Sequence, residues 1–169
     1  MKHGVSYFGP IRATRRAISS LETTLTRIKF SFARGGHFTA KVMLDKAPKT
    51  WEAIWKQLPL TIKAYNARWT GRETHTKLDL PNKPPRENQI LNAGLGDVIY
   101  AREWSDRDVT GFEAIGWFYG TETVRDWRGE SRVNLFARVD QSEWPFLEEV
   151  GLRTWQEGGE DCTITVPED

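Results

Sequence analysis

Arg27-Ile28-Lys29-Phe30-Ser31-Phe32, then Ala33-Arg34-Gly35-Gly36, then His37-Phe38-Thr39-Ala40-Lys41-Val42-Met43-Leu44: this run decides how the chain folds. Ile28, Phe30 and Phe32 alternate with Arg27, Lys29 and Ser31. Period two marks a strand with one face in a core and the other in water. Phe38, Ala40, Val42 and Leu44 repeat the alternation against His37, Thr39, Lys41 and Met43. Gly35-Gly36 supplies the positive-φ pair of a tight turn between them. The run is therefore a β-hairpin.

Downstream, Pro48 opens a short helix, where its missing N–H costs no intrahelical bond. Trp51, Ile54, Trp55 and Leu58 form one apolar stripe at helical spacing, stopped by Pro59. Strands are expected at 61–69 and 72–78, then near 97–103, 113–119 and 132–139, with a closing strand at 161–166 in which Cys162, Ile164 and Val166 alternate with Thr163 and Thr165. Asp140-Gln141-Ser142-Glu143 has the spacing of a capping box opening a second helix, with Trp144, Leu147, Gly151 and Trp155 on one face and Gly158-Gly159 at its end. Residues 79–96, with Pro81, Pro84, Pro85, Gly94 and Gly96, form a long connection of the kind that carries function or moves. The fold expected is mainly β with two helices: roughly eight strands in sequential hairpins, closed into an antiparallel barrel capped by helices. Closure removes the exposed edges that such a sheet otherwise carries.

A length of 169 residues suits one domain with a real core. We divide it into an N-terminal arm, 1–24, and a barrel domain, 25–169. The arm is rich in Arg, Ser and Thr and poor in acids, a composition that fits an oligomer arm, a transit peptide or an over-extended start. Up to Arg34 the chain carries seven cationic residues against Glu22 alone, whereas from Asp140 onward nine acids face Arg153. Opposite ends of opposite sign attract within or between subunits, and a homodimer is the simplest assembly; both ends also read as ordinary solvated faces. The net charge of +1 gives no nucleic-acid footprint. No apolar run reaches the eighteen or so residues of a membrane span. The single cysteine, Cys162, fits a reducing compartment, so a cytoplasmic location is expected. Eight tryptophans favour a ligand pocket or an interface.

Lys63-Ala64-Tyr65-Asn66-Ala67-Arg68-Trp69-Thr70-Gly71-Arg72-Glu73 begins as a strand and stops at a Thr-Gly turn. Just before that turn stand Asn66, Arg68 and Trp69, poor choices for a purely structural strand. This order of motifs resembles the front half of a cyclophilin: a hairpin, Ala47-Pro48-Lys49-Thr50 opening a helix, then a strand with an Arg near its end. It is more similar still to a bacterial cyclophilin-like family of unknown function. The shared features are Ala67-Arg68-Trp69 before a small-residue–Gly turn, Glu87-Asn88 in the long loop, and Gly96-Asp97 before a strand. Glu113 leading a strand that ends in Tyr119-Gly120, and Asn134 leading the next, complete the set. The resemblance runs from about Leu25 to Val166 and implies a cyclophilin-like barrel. The isomerases' Phe-His-Arg strand is missing, Arg68 alone standing for its last member, and Asn66 occupies a position where the close family often has His.

Arg68 is the first candidate, since a guanidinium at a barrel mouth holds a carboxylate or amide carbonyl through two parallel hydrogen bonds; a salt bridge to Glu73 or Asp97 is the plainer reading. Glu113 shares a face with Ile115, Trp117 and Tyr119, where a buried carboxylate must be paired or protonated. It is a candidate acid/base, or else a paired residue at a wet strand end. Tyr119 and Asn134 would orient a substrate, Asn66 would bind it, Trp69 and Trp117 would wall the pocket, and Glu87 and Asn88 would close over a ligand or cap a turn. His37 and His75 lack partners at metal-ligand spacing, so no metal site is assigned, and nothing in the sequence calls for a cofactor. His75, next to Glu73 by parity, is a candidate base or an exposed strand histidine. Together these features imply a binder of a carboxylate- or amide-bearing small molecule, working as a hydrolase or isomerase. A non-catalytic peptide- or protein-binding module is the alternative. Amide-opening enzymes among the cyclophilin-like relatives favour the first by analogy.

Overall fold

A computed structural model describes residues 26–105 and 111–168. The arm expected over 1–24 lies outside them. Eight strands form the body: β1 Arg27–Phe32, β2 His37–Val42, β3 Leu60–Asn66, β4 Glu73–Lys77, β5 Asp97–Arg102, β6 Glu113–Phe118, β7 Val133–Val139 and β8 Glu160–Thr165. Their order is β2-β1-β8-β3-β4-β6-β5-β7, and β7 returns to β2, with Ala137 opposite Val42 and Val139 opposite Ala40. Every neighbouring pair is antiparallel, so the helix-capped barrel read from the sequence is the fold that forms. Its helices are α1, Pro48–Trp55, and α2, Trp144–Glu157.

Alternation put the right side chains inside. Phe30 stacks on Phe38 with ring centroids 4.9 Å apart, and Trp117 lies 5.1 Å from Phe30. All three are fully buried. Removing side chains of this size from water is worth roughly 1.5–3 kcal/mol each. A second, smaller apolar cluster lies on the outside of β5, β6 and β7: Ile99, Phe118, Val133 and Leu135, with Ala93 and Val124 folded over them. That outer cluster roots the segment between β6 and β7, whose Arg125–Asp126 and Gly129–Glu130 pair as a small hairpin. Within 79–96, Gln89–Ile90 adds to β7, and Asn92–Ala93 pairs with Glu122–Thr123.

Four local expectations need correction. Strand β3 ends at Asn66 rather than at residue 69, because the Asn66 amide donates to Ala67 O and Gly71 O, both at 3.1 Å, and curls the chain into a turn. The stretch before α2 is a short 3-10 turn, Gln141–Glu143, without the reciprocal side-chain cap; Glu143 instead accepts from the Thr39 hydroxyl at 2.8 Å and ties the helix entry to β2. The inner face of α2 is Leu147, Val150, Gly151 and Thr154, while Trp155 is 62% exposed. Gly151 is needed there, since a Cβ would overlap the Tyr119 ring. On α1 the stripe is likewise narrower, with Trp51 and Ile54 buried and Trp55 exposed. No helix among the described residues is long and apolar enough to cross a membrane.

Candidate functional site

The outer face of β4 and β6 carries the group that marks the site. Glu73 opens β4, and only 7% of it is exposed. Its Oε1 lies over Gly116 of β6, where a Cβ would overlap it, and Ile99 closes the other side of that glycine. A glycine inside a strand often marks the close approach of another group, and here that group is a carboxyl. Among the described residues no cation pairs with Glu73 within 4.0 Å. Burial therefore dominates and raises its pKa from 4.5 to about 7, against a smaller opposing pull from the nearby Thr70 hydroxyl.

Above this carboxyl opens a cavity of about 260 Å³. One wall is the turn between β3 and β4, bringing Arg68, Trp69 and Thr70; the other is the hairpin over 125–130 with Trp127. His75 and Phe112 line the side, their rings edge to face at 6.1 Å. Burial lowers the His75 pKa, so the imidazole sits there neutral at physiological pH. The two walls are joined by Thr70, whose hydroxyl donates to Arg125 O at 2.9 Å and accepts from Arg125 N–H at 3.1 Å. A larger hollow of about 800 Å³ lies elsewhere, near Lys29, Trp55 and Pro59, but it contains no buried polar side chain.

The residues singled out from the sequence divide into three groups. Arg68 and Trp69 line the cavity, with the Arg68 guanidinium 5.9 Å from the Trp69 ring centre. Asn66 and Tyr119 lie behind it: the Tyr119 hydroxyl donates to Asn66 Oδ1 at 2.5 Å, and this pair braces the turn that carries Arg68. Burial raises the Tyr119 pKa. Glu113, Trp117, Asn134, Glu87 and Asn88 are away from the cavity. Glu113 is buried inside the barrel and accepts from Tyr100 Oη at 2.7 Å, Leu80 N–H at 3.1 Å and Lys83 Nζ. Trp117 belongs to the inner aromatic core. Asn134 satisfies its whole amide on backbone and side chains, with Pro85 O at 2.8 Å, Thr50 Oγ1 at 3.0 Å, and Glu87 N–H at 3.0 Å. Glu87 caps α1 by accepting from Thr50 N–H and its hydroxyl, both at 2.8 Å, and Asn88 donates to Leu135 O at 2.8 Å. The expected convergence of Arg68, Glu113 and Tyr119 in one pocket thus does not occur, because strand parity aims Glu113 inward while the cavity lies outside the barrel.

Glu73, Trp127, Phe112 and Arg102 are cavity residues that sequence reasoning passed over. Their available sign was Gly116, an unexplained glycine in an otherwise apolar strand. Among the described residues no group of three or more His, Cys, Asp or Glu is placed to hold a metal ion. Cys162 is buried and its thiol pushed up to about 12 by burial, which makes it inert. A direct test of the floor is Gly116→Ala. It should expel the Glu73 carboxyl, lower its pKa toward the ordinary range in an NMR titration, and cost about 1–3 kcal/mol. An unmoved titration would mean that Glu73 does not depend on this glycine.

The fold and cavity define a small closed antiparallel barrel with an external pocket floored by a carboxyl. The chain belongs to the family described as Protein of unknown function (DUF3830), whose model matches residues 32–166. No match was found among curated proteins. Among solved structures the chain is similar to McbB in complex with tryptophan, with a TM-score of 0.65 and 14% identity over 84% of this chain. It spans 45% of the McbB chain, about half. It is also similar to the hypothetical protein AF2241 from Archaeoglobus fulgidus, with a TM-score of 0.54 and 20% identity, covering 84% of this chain and 95% of that one. At these identities the likeness is one of fold.

Proposed function

We propose that this protein binds a small molecule combining a flat apolar group with a carboxylate or amide, in the external pocket, and acts on it as a cofactor-independent hydrolase or isomerase. The observation that carries this reading is the desolvated Glu73 carboxyl, without a cationic partner among the described residues, facing an aromatic-walled cavity. A carboxyl with a pKa near neutrality holds its proton about half the time at working pH, which suits both giving and taking a proton. Arg68 anchors the anionic or carbonyl group of the ligand, and Trp69, Trp127 and Phe112 hold its flat part. Asn66 and Tyr119 act one layer back, keeping the Arg68 turn in place. McbB, similar in fold, is bound to tryptophan, which itself combines a flat ring with a carboxylate.

Trp69 and Trp127 are each 54% exposed, which also suits a chain-like ligand lying across the rim, the non-catalytic peptide-binding reading. One experiment separates the two. Aromatic carboxylates and amides, tryptophan among them, are screened by thermal shift against wild type, Arg68→Ala and Glu73→Gln, beside a set of proline-containing peptides. The expected result is a small-molecule ligand whose affinity falls about tenfold or more in Arg68→Ala, as for the loss of a charge-assisted bond. Its turnover should fall about 10²–10⁴-fold in Glu73→Gln while binding persists. Arg68-dependent binding of peptides alone, with no small-molecule hit, would overturn the enzyme reading in favour of the binding module.

A further inference from the structure

Beside the Glu73 cavity lies a second of about 310 Å³, and the two share Arg102, Glu103, Asp126 and Ser131. Trp104 lines it, fixed by an Nε1–H bond to Arg132 O at 3.0 Å. Two guanidinium groups lie against that ring, Arg102 at 4.7 Å and Arg86 at 4.9 Å from its centre. Cations on an aromatic face are held in place without their charge being cancelled. The acids nearby are already engaged. Glu103 pairs with Arg128, which holds its carboxyl down at about 2, and Asp126 accepts from the Arg128 backbone N–H at 2.7 Å. Glu130 reaches Arg125 at 4.0 Å.

Three arginines are left over. Among the described residues, Arg86, Arg102 and Arg132 have no carboxylate within 4.0 Å, and the Arg86 guanidinium, besides its place on the Trp104 ring, donates to the neutral Gln89 amide at 3.2 Å. The Arg102 Nε–H is buried and meets no acceptor. A buried donor without a partner costs folding free energy, so such a group in a folded protein calls for an explanation. That Nε is closed off from the cavity, so a ligand meets Arg102 at its terminal N–H groups; an oxyanion seated between the Trp104 ring and Arg132 would neutralise the surplus charge, using the fork geometry that arginine offers to phosphate and carboxylate.

We infer that the two cavities are halves of one site, and that the ligand is bipartite: a flat head over Glu73 and an anionic tail, phosphate or carboxylate, held by Arg86, Arg102 and Arg132 around Trp104. This rests on the reading of the Glu73 pocket as a small-molecule site, and it narrows the substrate class to elongated molecules with charge at one end. Arg68 then serves the polar group on the head, while the tail lies on the far side of Arg102.

The test uses the whole protein at fixed pH and low salt, reading tryptophan fluorescence and calorimetry. The probes are inorganic phosphate, phenyl phosphate, benzoate and phenol. Inorganic phosphate should bind wild type and lose about tenfold or more in affinity in Arg102→Gln and, independently, in Arg132→Gln, whose exposed side chain leaves folding untouched. Phenyl phosphate or benzoate should bind at least about tenfold more tightly than phosphate or phenol alone, because head and tail are then joined in one molecule. Which of the two gains more identifies the tail as phosphate or carboxylate. Phosphate, phenyl phosphate and benzoate all failing to bind, or all binding unaltered by either arginine variant, overturns the proposal, as does a result in which neither phenyl phosphate nor benzoate binds more tightly than phosphate or phenol. Trp127→Ala separates this from the parent reading. If the head pocket is misassigned, that variant leaves phenol and phenyl phosphate unchanged while arginine-dependent phosphate binding survives. If the tail site is misassigned, phenol still binds in a Trp127-dependent manner and phosphate does not.

Discussion

Glu73→Gln should stabilise the protein by about 3 kcal/mol above pH 7 and leave it nearly unchanged below pH 4.5. The folded-state pKa of about 7 exceeds the ordinary value of 4.5. Between those pH values the native protein holds a proton that the unfolded chain has released, so wild-type stability falls as pH rises through the window. The stabilising contribution is complete below 4.5 and gone once pH has passed about 7. Each pKa step is worth about 1.4 kcal/mol, which sets the size of the gain when the ionisable group is removed. Urea unfolding of wild type and variant from pH 4 to 8 measures it. Two parallel stability curves would show that Glu73 ionises freely, and with that the acid/base role would go. A stabilising change that abolishes turnover is also the pattern expected where a fold carries strain for the sake of its chemistry.

The second large effect runs the other way. Glu113→Ala should destabilise the fold by about 3–5 kcal/mol, the range for breaking a buried charged network. The Tyr100 hydroxyl and Leu80 N–H would be left without an acceptor in the barrel interior, and Lys83 without its counter-charge. Burial first, and then this carboxylate, push the Tyr100 pKa well up, so the phenol stays a donor at any pH the protein meets. Glu113→Gln, which keeps an acceptor oxygen, should cost much less. Ligand affinity in the Glu73 pocket should be unchanged in the folded fraction of both. A normally stable Glu113→Ala that no longer binds ligand would return Glu113 to the catalytic machinery.

These two glutamates also show what could be read from the chain alone. Period-two alternation located the strands, and the Gly35-Gly36 turn fixed the first hairpin, so closure into a helix-capped barrel followed. Alternation says that a strand has two faces; it does not say which face will be covered by something else. Glu113 stood out because it shares a face with aromatics, and that face proved to be the solid interior. Glu73 reads from the chain only as a salt-bridge partner for Arg68 and a parity neighbour of His75, and its face is the one the segment between β6 and β7 folds over. Arg68 and Trp69 were legible because a turn has no face to hide them. The tryptophans at 55 and 155 misled for a related reason: helical spacing marks a stripe, but only the middle of that stripe meets the barrel, and both indoles at its edges stay partly exposed.

One wall of the pocket is a hairpin that contributes no strand to the ring and rests, through Val124, on a small apolar cluster of the barrel's outer face. Part of ligand choice is therefore carried by a stretch of chain that the ring does not need for its closure. Changes confined to residues 126–130 should retune that wall while the ring strands keep their pairings. Such a scaffold diversifies by swapping its awning while the house stays standing.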